Sequence, residues 1–182
     1  MIVRAASPAD AEVLARIRVA SWRAAYRGLL PDPVLDGMDE AAETRRWASG
    51  LAELTAGAAE PTATDPFALL GCDAAGQPQG YVIAGPYRDD DQPPAGPSTG
   101  EVYALYVEPT AWGRGFGTAL IRAAVGRLEV AGYRAAALWV LETNVGARGF
   151  YESQGWILDG VTGHCRESVG APEVRYLCPL AG

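Results

Sequence analysis

Apolar and polar positions recur along this chain at two different spacings, and the changes between them mark a succession of strands and helices. Ile2–Ala5 is a short apolar run that reads as a first strand. Ser7, Pro8 and Asp10 follow as a helix start: a capping residue, a proline suited to the first helical position, and an acid to complete a capping box. Val13, Leu14, Ile17 and Ser21 share one face at helical spacing, so that face turns inward, and the segment Gly28–Pro31 closes the helix. Residues 32–55 alternate acidic and apolar positions, which predicts one or two further short helices ending near Gly57. Pro61–Pro66 reads as a turn-rich connector.

Phe67–Cys72 and Gly80–Gly85 predict two strands joined as a hairpin by Asp73–Gln79. The next stretch, 86–100, has prolines, three consecutive aspartates (Asp89, Asp90, Asp91) and no apolar period, so a flexible solvated loop is expected there. Those aspartates could also form an acidic lip that draws in a cationic substrate. Glu101–Val107 is a strand stopped by Pro109. Thr118–Ala131 is a helix with Leu120, Ile121, Ala124, Val125 and Leu128 on one face and Gly132 just past its end. Ala135–Leu141 is an apolar strand suited to burial on both faces. Asn144–Gln154 is a short helix ended by Gly155, and Trp156–Asp159 and Glu173–Cys178 supply the last strands. The order is β, several α, ββ, then βαβαββ, so the fold class is mixed α/β in a single domain over residues 1–182.

Composition narrows the function. Apolar residues make up 49% of the chain and charged ones 20%, enough to build a substantial core. The N-terminus turns polar within a few residues, and no run approaches the ~18 apolar residues of a membrane span. The expectation is therefore a cytoplasmic protein without a membrane partner. The net charge is −7 and all 15 basic residues are arginine, which excludes lysine self-modification and disfavours nucleic acid as a partner. Cys72, Cys165 and Cys178 have no metal-ligand spacing and read as reduced, mostly packed thiols. The single histidine, His164, leaves no material for a histidine metal site or a Ser-His-Asp triad, so no metal is expected. It sits beside Gly163 in what reads as a late loop, with a structural or surface role.

The segment Val107-Glu-Pro-Thr-Ala-Trp112-Gly113-Arg114-Gly115-Phe116-Gly117-Thr118 runs from a strand through a glycine-rich turn into a helix. Glycine admits positive φ and close approach of a ligand, and the first helical N–H groups lack internal partners and carry the positive end of the dipole. Together they make an anion cradle fit for a pyrophosphate, to which Arg114 can add charge. A P-loop would need a lysine that the chain lacks. The G-x-G-x-G spacing, with no acid over Tyr133–Val140, departs from a dinucleotide fingerprint.

The stretch resembles motif A of the GNAT N-acetyltransferases, Gln/Arg-x-x-Gly-x-Gly/Ala, with Gly115 and Gly117 as the signature glycines and Trp112 where the family has Gln or Arg. Asn144, Ala147, Phe150, Tyr151, Gly155 and Trp156 match motif B, Asn-x-x-Ala-x-x-Phe-Tyr-x-x-x-Gly-Phe, with Trp for the final Phe. The resemblance extends over nearly the whole chain and is strongest over 101–156. It implies a GNAT fold, with a mixed central sheet of six to seven strands flanked by helices, and acetyl-CoA as cosubstrate. By the same resemblance Leu105 and Val107 hydrogen-bond the pantetheine arm, with Tyr106, Trp112 and Asn144 beside it. Gly113–Thr118, Phe116 included, hold the pyrophosphate, and Tyr151 is the general acid for the leaving thiolate. A homodimer is the family habit.

Acetyl transfer to an amine needs a base, because an alkylamine of pKa ~10.4 is neutral only about once in 10³ at pH 7. Glu101, at the start of its strand, is the candidate, and Glu108 is less attractive because it lies on the phosphate side before Pro109. Backbone N–H groups of Leu105–Val107 are the natural donors to a developing oxyanion. Trp22, Tyr26 and Tyr103 line an acceptor pocket or serve ordinary packing. The expected reaction is acetylation of the primary amine of a small molecule or a peptide N-terminus, in a ternary complex. The alternative is an acyl-CoA-binding module without turnover.

Overall fold

The computed structural model describes residues 1–56, 65–88, 98–165 and 170–180. β1 (Ile2–Ala5) leads through the 3-10 turn Pro8–Asp10 into α1 (Ala11–Tyr26), followed by α2 (Asp32–Asp36) and α3 (Glu40–Ala56). The Asp10 carboxylate accepts the Ser7 backbone N–H at 2.8 Å and the Ser7 hydroxyl at 2.9 Å, and pairs with Arg4 at 2.6 Å. This start is the one the sequence announces. α3 is longer than expected, at 17 residues. Its expected end at Gly57, the Pro61–Pro66 connector up to residue 64, and the Asp89–Asp91 lip lie outside the described residues.

β2 (Phe67–Cys72), β3 (Pro78–Pro86) and β4 (Thr99–Val107) form an antiparallel meander, then α4 (Phe116–Val130) crosses to β5 (Ala135–Leu141). α5 (Val145–Ser153) leads to β6 (Ile157–His164) and β7 (Pro172–Pro179), both longer than the sequence suggests. The seven strands make one mixed sheet of order β1-β2-β3-β4-β5-β7-β6, in which only β4 and β5 run parallel.

Leu120, Ile121, Ala124 and Leu128 of α4 pack on one sheet face against Val82, Val102, Ala136 and Leu138. Leu14 and Ile17 of α1 and Leu51 of α3 cover the other face over Leu70, Tyr81 and Ile83. Each fully buried aliphatic side chain contributes about 1.5–3 kcal/mol, so these two layers hold the sheet as a rigid platform.

Two irregularities shape the platform. β4 pairs with β5 only from Thr99↔Ala135 to Val102↔Leu138, after which β4 stays with β3 and β5 with β7. The sheet therefore opens into a wedge between Tyr103–Val107 and Trp139–Leu141. The β3–β4 register also shifts, from Ile83↔Ala104 to Ala84↔Val102, leaving Tyr103 as the extra residue of a bulge at the root of the wedge. β5 is accordingly not buried throughout: Trp139 is half-buried because it faces the opening.

Candidate active site

The wedge holds a cavity of about 590 Å³, floored by β4 and β5 and roofed by α1 and α3. Ten of the site residues expected from the sequence line it: Trp22 and Tyr26 from α1, Glu101, Tyr103, Leu105, Tyr106 and Val107 from β4, then Trp112, Asn144 and Tyr151. Gly113, Arg114, Gly115, Phe116, Gly117 and Thr118 are not part of its wall; they follow Trp112 outward into the N-terminus of α4.

That turn is built as an anion cradle should be. Gly113 (φ 71°) and Gly115 (φ 87°) adopt left-handed backbone, which side chains disfavour, and Gly115 is the N-cap of α4. Gly113, Arg114 and Gly115 are exposed, so the turn that leads into α4, with its unpaired first-turn N–H groups, lies at the surface just beyond Trp112. Gly117 is glycine for a different reason: a Cβ there would meet the Phe150 ring at 3.3 Å, which ties the first turn of α4 to α5. Phe116 is 5% exposed, and its side chain belongs to the core under the first turn of α4.

Trp112, where motif A has a polar residue, donates its indole N–H to the Val107 carbonyl at 2.7 Å. Ser21 of α1 donates its hydroxyl to the same oxygen at 2.8 Å. Trp112 thus fastens the turn to the end of β4. These bonds also fix the strand's orientation. Glu108 donates its N–H across to Gln79, so by alternation Tyr106 turns its peptide groups to β3, while Leu105 and Val107 turn theirs into the wedge. The open edge of β4 is a free strand edge of the kind an extended, amide-bearing arm can pair with.

Glu101 is buried at 4% exposure, and both its oxygens are engaged by Arg88: the Arg88 N–H at 3.0 Å and the guanidinium at 2.8 Å. The guanidinium lies 3.6 Å from the Tyr103 ring centroid, and the Tyr103 hydroxyl donates to the Pro86 carbonyl at 2.5 Å. Arg175 on β7 donates to the Tyr87 hydroxyl at 2.9 Å and pairs with Asp159 at 2.7 Å, so the end of β3 is fixed on both sides. Tyr103 therefore serves the wall at the closed end of the wedge, and burial pushes its phenol up while Arg88 opposes that. Glu108 is held by Arg16, in keeping with its lower rank as a base.

At the open end Tyr151 is 9% exposed, with its ring edge-on to Phe150 (5.2 Å) and Trp156 (6.1 Å). Burial, with a smaller contribution from Tyr106, raises its phenol well above the usual range, so it keeps its proton at neutral pH. Burial does the same to Tyr26, reinforced by Tyr106, Tyr151, Cys165 and Glu173. Asn144 caps α5, accepting the Ala147 N–H at 3.1 Å, and still lines the cavity.

The cavity wall also holds residues that the sequence reading did not assign: Arg18, Arg88, Trp139, His164, Cys165 and Glu173. His164 is the correction that matters most among them. It ends strand β6 and lines the cavity, where the sequence reading had placed it in a late loop. No motif marks these positions. The pairing of β6 and β7 brings in His164, Cys165 and Glu173, and α1, the end of β3 and β5 bring in Arg18, Arg88 and Trp139. Among the described residues, no group of three or more His, Cys, Asp or Glu side chains is arranged to hold a metal, and no helix is long and apolar enough to cross a membrane.

Comparison with known proteins agrees with this architecture. A profile of the acetyltransferase (GNAT) family matches residues 22–156. A probable N-acetyltransferase from Mycobacterium tuberculosis is 29% identical over 178 residues, 96% of this chain and 91% of that protein. PaiA N-acetyltransferase from Thermoplasma acidophilum, solved with coenzyme A, superimposes with a TM-score of 0.72 at 16% identity, covering 96% of each chain. YncA from Salmonella typhimurium, solved with acetyl-CoA, gives a TM-score of 0.67 at 17% identity, covering 100% of this chain and 95% of that one.

Proposed function

This chain belongs to the GNAT acetyltransferase family, and we propose that it carries the acetyl group of acetyl-CoA directly to a primary amine of a small molecule or a peptide N-terminus within a ternary complex. The observation that carries this reading is the wedge, where a free β4 edge, a glycine-capped helix N-terminus and a buried tyrosine adjoin one cavity. These features fit the cosubstrate: the Leu105 and Val107 N–H groups suit a pantetheine arm, and the α4 N-terminus with Arg114 suits a pyrophosphate. Bound there, acetyl-CoA supplies an activated acyl group whose leaving thiol has a pKa near ~8.5.

The protein's own groups do the rest. The Leu105–Val107 edge offers N–H donors to the acyl oxygen as negative charge grows on it. Tyr151 gives its phenolic proton to the departing sulfur. Because its buried phenol is a weak acid, it acts as a relay, recovering a proton from the amine nitrogen as the amide forms. Glu101, the carboxylate expected as base from the sequence, fills that role only in a state in which Arg88 has let go of it. Trp22 and Tyr26 shape the acceptor side, and the acceptor meets them before it reaches Tyr151.

Two measurements test the reading. Acetyl-CoA in a thermal-shift titration, with NADH as control, should stabilise the protein by about 2.7 kcal/mol at 100 times its dissociation constant. Thiol release from acetyl-CoA should then follow addition of amines from a panel. A protein indifferent to millimolar acetyl-CoA, or one that binds it yet releases no thiol with any amine, refutes the proposal.

A further inference from the structure

We infer that Glu173 on β7 is the residue that takes the proton from the acceptor amine, an inference that rests on the acetyl-transfer reading above. Glu101 is in register with Ala137, and Ala137, Trp139 and Leu141 alternate on one face of β5. Trp139 is paired with Arg175 and Leu141 with Glu173, so Glu173 rises on the same sheet face as Glu101. That face lines the cavity, and Glu173 is part of its wall. Two carboxylates therefore look into one chamber, from opposite ends of the wedge.

Their surroundings differ. Glu101 lies at the closed end, where β4 and β5 still pair, with both oxygens engaged by Arg88. Glu173 lies at the open end, beside the tip of β5. Its cross-strand neighbour Leu141 belongs to a cluster with Trp22, Tyr26, Tyr106 and Cys165. Directly opposed residues keep their Cβ atoms within about 5.5 Å, so the carboxylate is brought beside that cluster. Its other neighbour is Gly163, over which the Trp139 ring packs: a Cβ there would meet that ring at 3.0 Å, so Trp139 borders Glu173 on the side of the closed end. The tyrosine that would protonate the sulfur borders the same corner: Tyr26 senses Tyr106, Tyr151 and Glu173 together. A base must lie within hydrogen-bond reach of the attacking nitrogen, which itself adjoins the sulfur. Of the two carboxylates, Glu173 is the one on the Tyr151 side.

The acceptor arrives as an ammonium and gives one proton to Glu173, which passes it to solvent at the cavity mouth. The neutral nitrogen forms a bond to the acyl carbon as the carbon–sulfur bond breaks. Tyr151 protonates the sulfur and recovers the second nitrogen proton. Amide, thiol and one released proton result, with both residues restored. Among the described residues, the titratable or charged groups that share the cavity wall with Glu173 are Arg18, Tyr26, Arg46, Arg88, Glu101, Tyr103, Tyr106, Tyr151, His164 and Cys165; Arg175, two residues on along β7, pairs with Asp159 and Tyr87.

The test compares wild type, Glu173→Gln, Glu173→Asp and Glu101→Gln in thiol release from acetyl-CoA with butylamine, tyramine, lysine and a tripeptide. Melting temperature and the acetyl-CoA thermal shift are measured alongside. Glu173→Gln is expected to lower kcat about 10²–10³-fold at pH 7, with the acetyl-CoA shift retained and Asp restoring part of the rate. The deficit should shrink steadily toward pH 10, where the amine is neutral without help; a purely structural lesion would not follow the amine in this way. A deficit that is absent, or the same at pH 7 and pH 10, overturns the assignment while leaving the acetyl-transfer reading intact. So does a pH-dependent deficit seen in Glu101→Gln and not in Glu173→Gln. A wild type that binds acetyl-CoA but acetylates none of the probes overturns both.

Discussion

Tyr151→Phe isolates one hydroxyl group. The Tyr151 ring is packed against Phe150, Trp156 and Tyr176, with centroids 5.2, 6.1 and 6.5 Å away, and phenylalanine keeps all three contacts. The stability change should therefore stay within about 1 kcal/mol, the net worth of an ordinary hydrogen bond. The catalytic change should be far larger. A positioned proton donor contributes about 10²–10⁴-fold, and at 1.36 kcal/mol per tenfold that is about 3–5 kcal/mol of barrier. The raised phenol pKa adds a pH signature. Tyr151 stays protonated past its usual value near ~10, so wild-type kcat should show no falling alkaline limb from this group below about pH 10. The assay is continuous thiol detection at saturating acetyl-CoA with an accepted amine, with thermal melting as the folding control. The expected result is a large loss in kcat, an unchanged acetyl-CoA thermal shift and a melting temperature close to wild type. A variant with the same melting temperature and kcat within threefold of wild type would refute the proton-donor role.

Gly117 gives a packing test: Ala should be nearly neutral in urea denaturation, because helix propensity of about 0.5–1 kcal/mol offsets the 3.3 Å approach to Phe150. Leu at the same position should destabilise by about 1–3 kcal/mol through overpacking. Trp112→Phe keeps an aromatic ring and removes the indole N–H that reaches the Val107 carbonyl at 2.7 Å. It should cost about 1 kcal/mol of stability and weaken acetyl-CoA binding in calorimetry, since the turn loses its tie to β4. Asp10, held near a pKa of about 2 chiefly by its hydrogen bond to Arg4, favours the fold when ionised. Its folded pKa is lowered, so that stability is present above the unfolded value near ~3.9 and is lost as pH falls toward 2. Asp10→Asn should accordingly lower the melting temperature at neutral pH and flatten its decline between about pH 4 and 2.

Much of this protein is legible without coordinates. Ile2–Ala5, Phe67–Cys72 and Ala135–Leu141 are strands at the bounds the apolar runs mark. Gly113 and Gly115 are glycine because their backbone is left-handed, a local demand visible in the spacing itself. Tyr151 and Asn144 belong to a motif on one short helix, and the helix brings both to the cavity. What the spacing does not carry is the partner each side chain meets. Glu101 reads as a strand-end carboxylate, and the fold sets Arg88 across both of its oxygens. Trp112 stands where the motif has a polar residue, and its indole N–H donates to the Val107 carbonyl.

Local features are written in the amino-acid order: which segments are strands and helices, where a turn must be glycine, and which residues stand in a family motif. Those properties depend on neighbours within a few positions, so the chain carries them in its spacing. Which groups share the chamber follows from the assembled sheet. The parting of β4 from β5 after Val102 and the pairing of β7 beside β5 set Glu173, His164 and Cys165 opposite Tyr26, across more than 130 residues of chain. Such encounters follow from sheet order and register, which packing of the whole molecule fixes and no local pattern encodes.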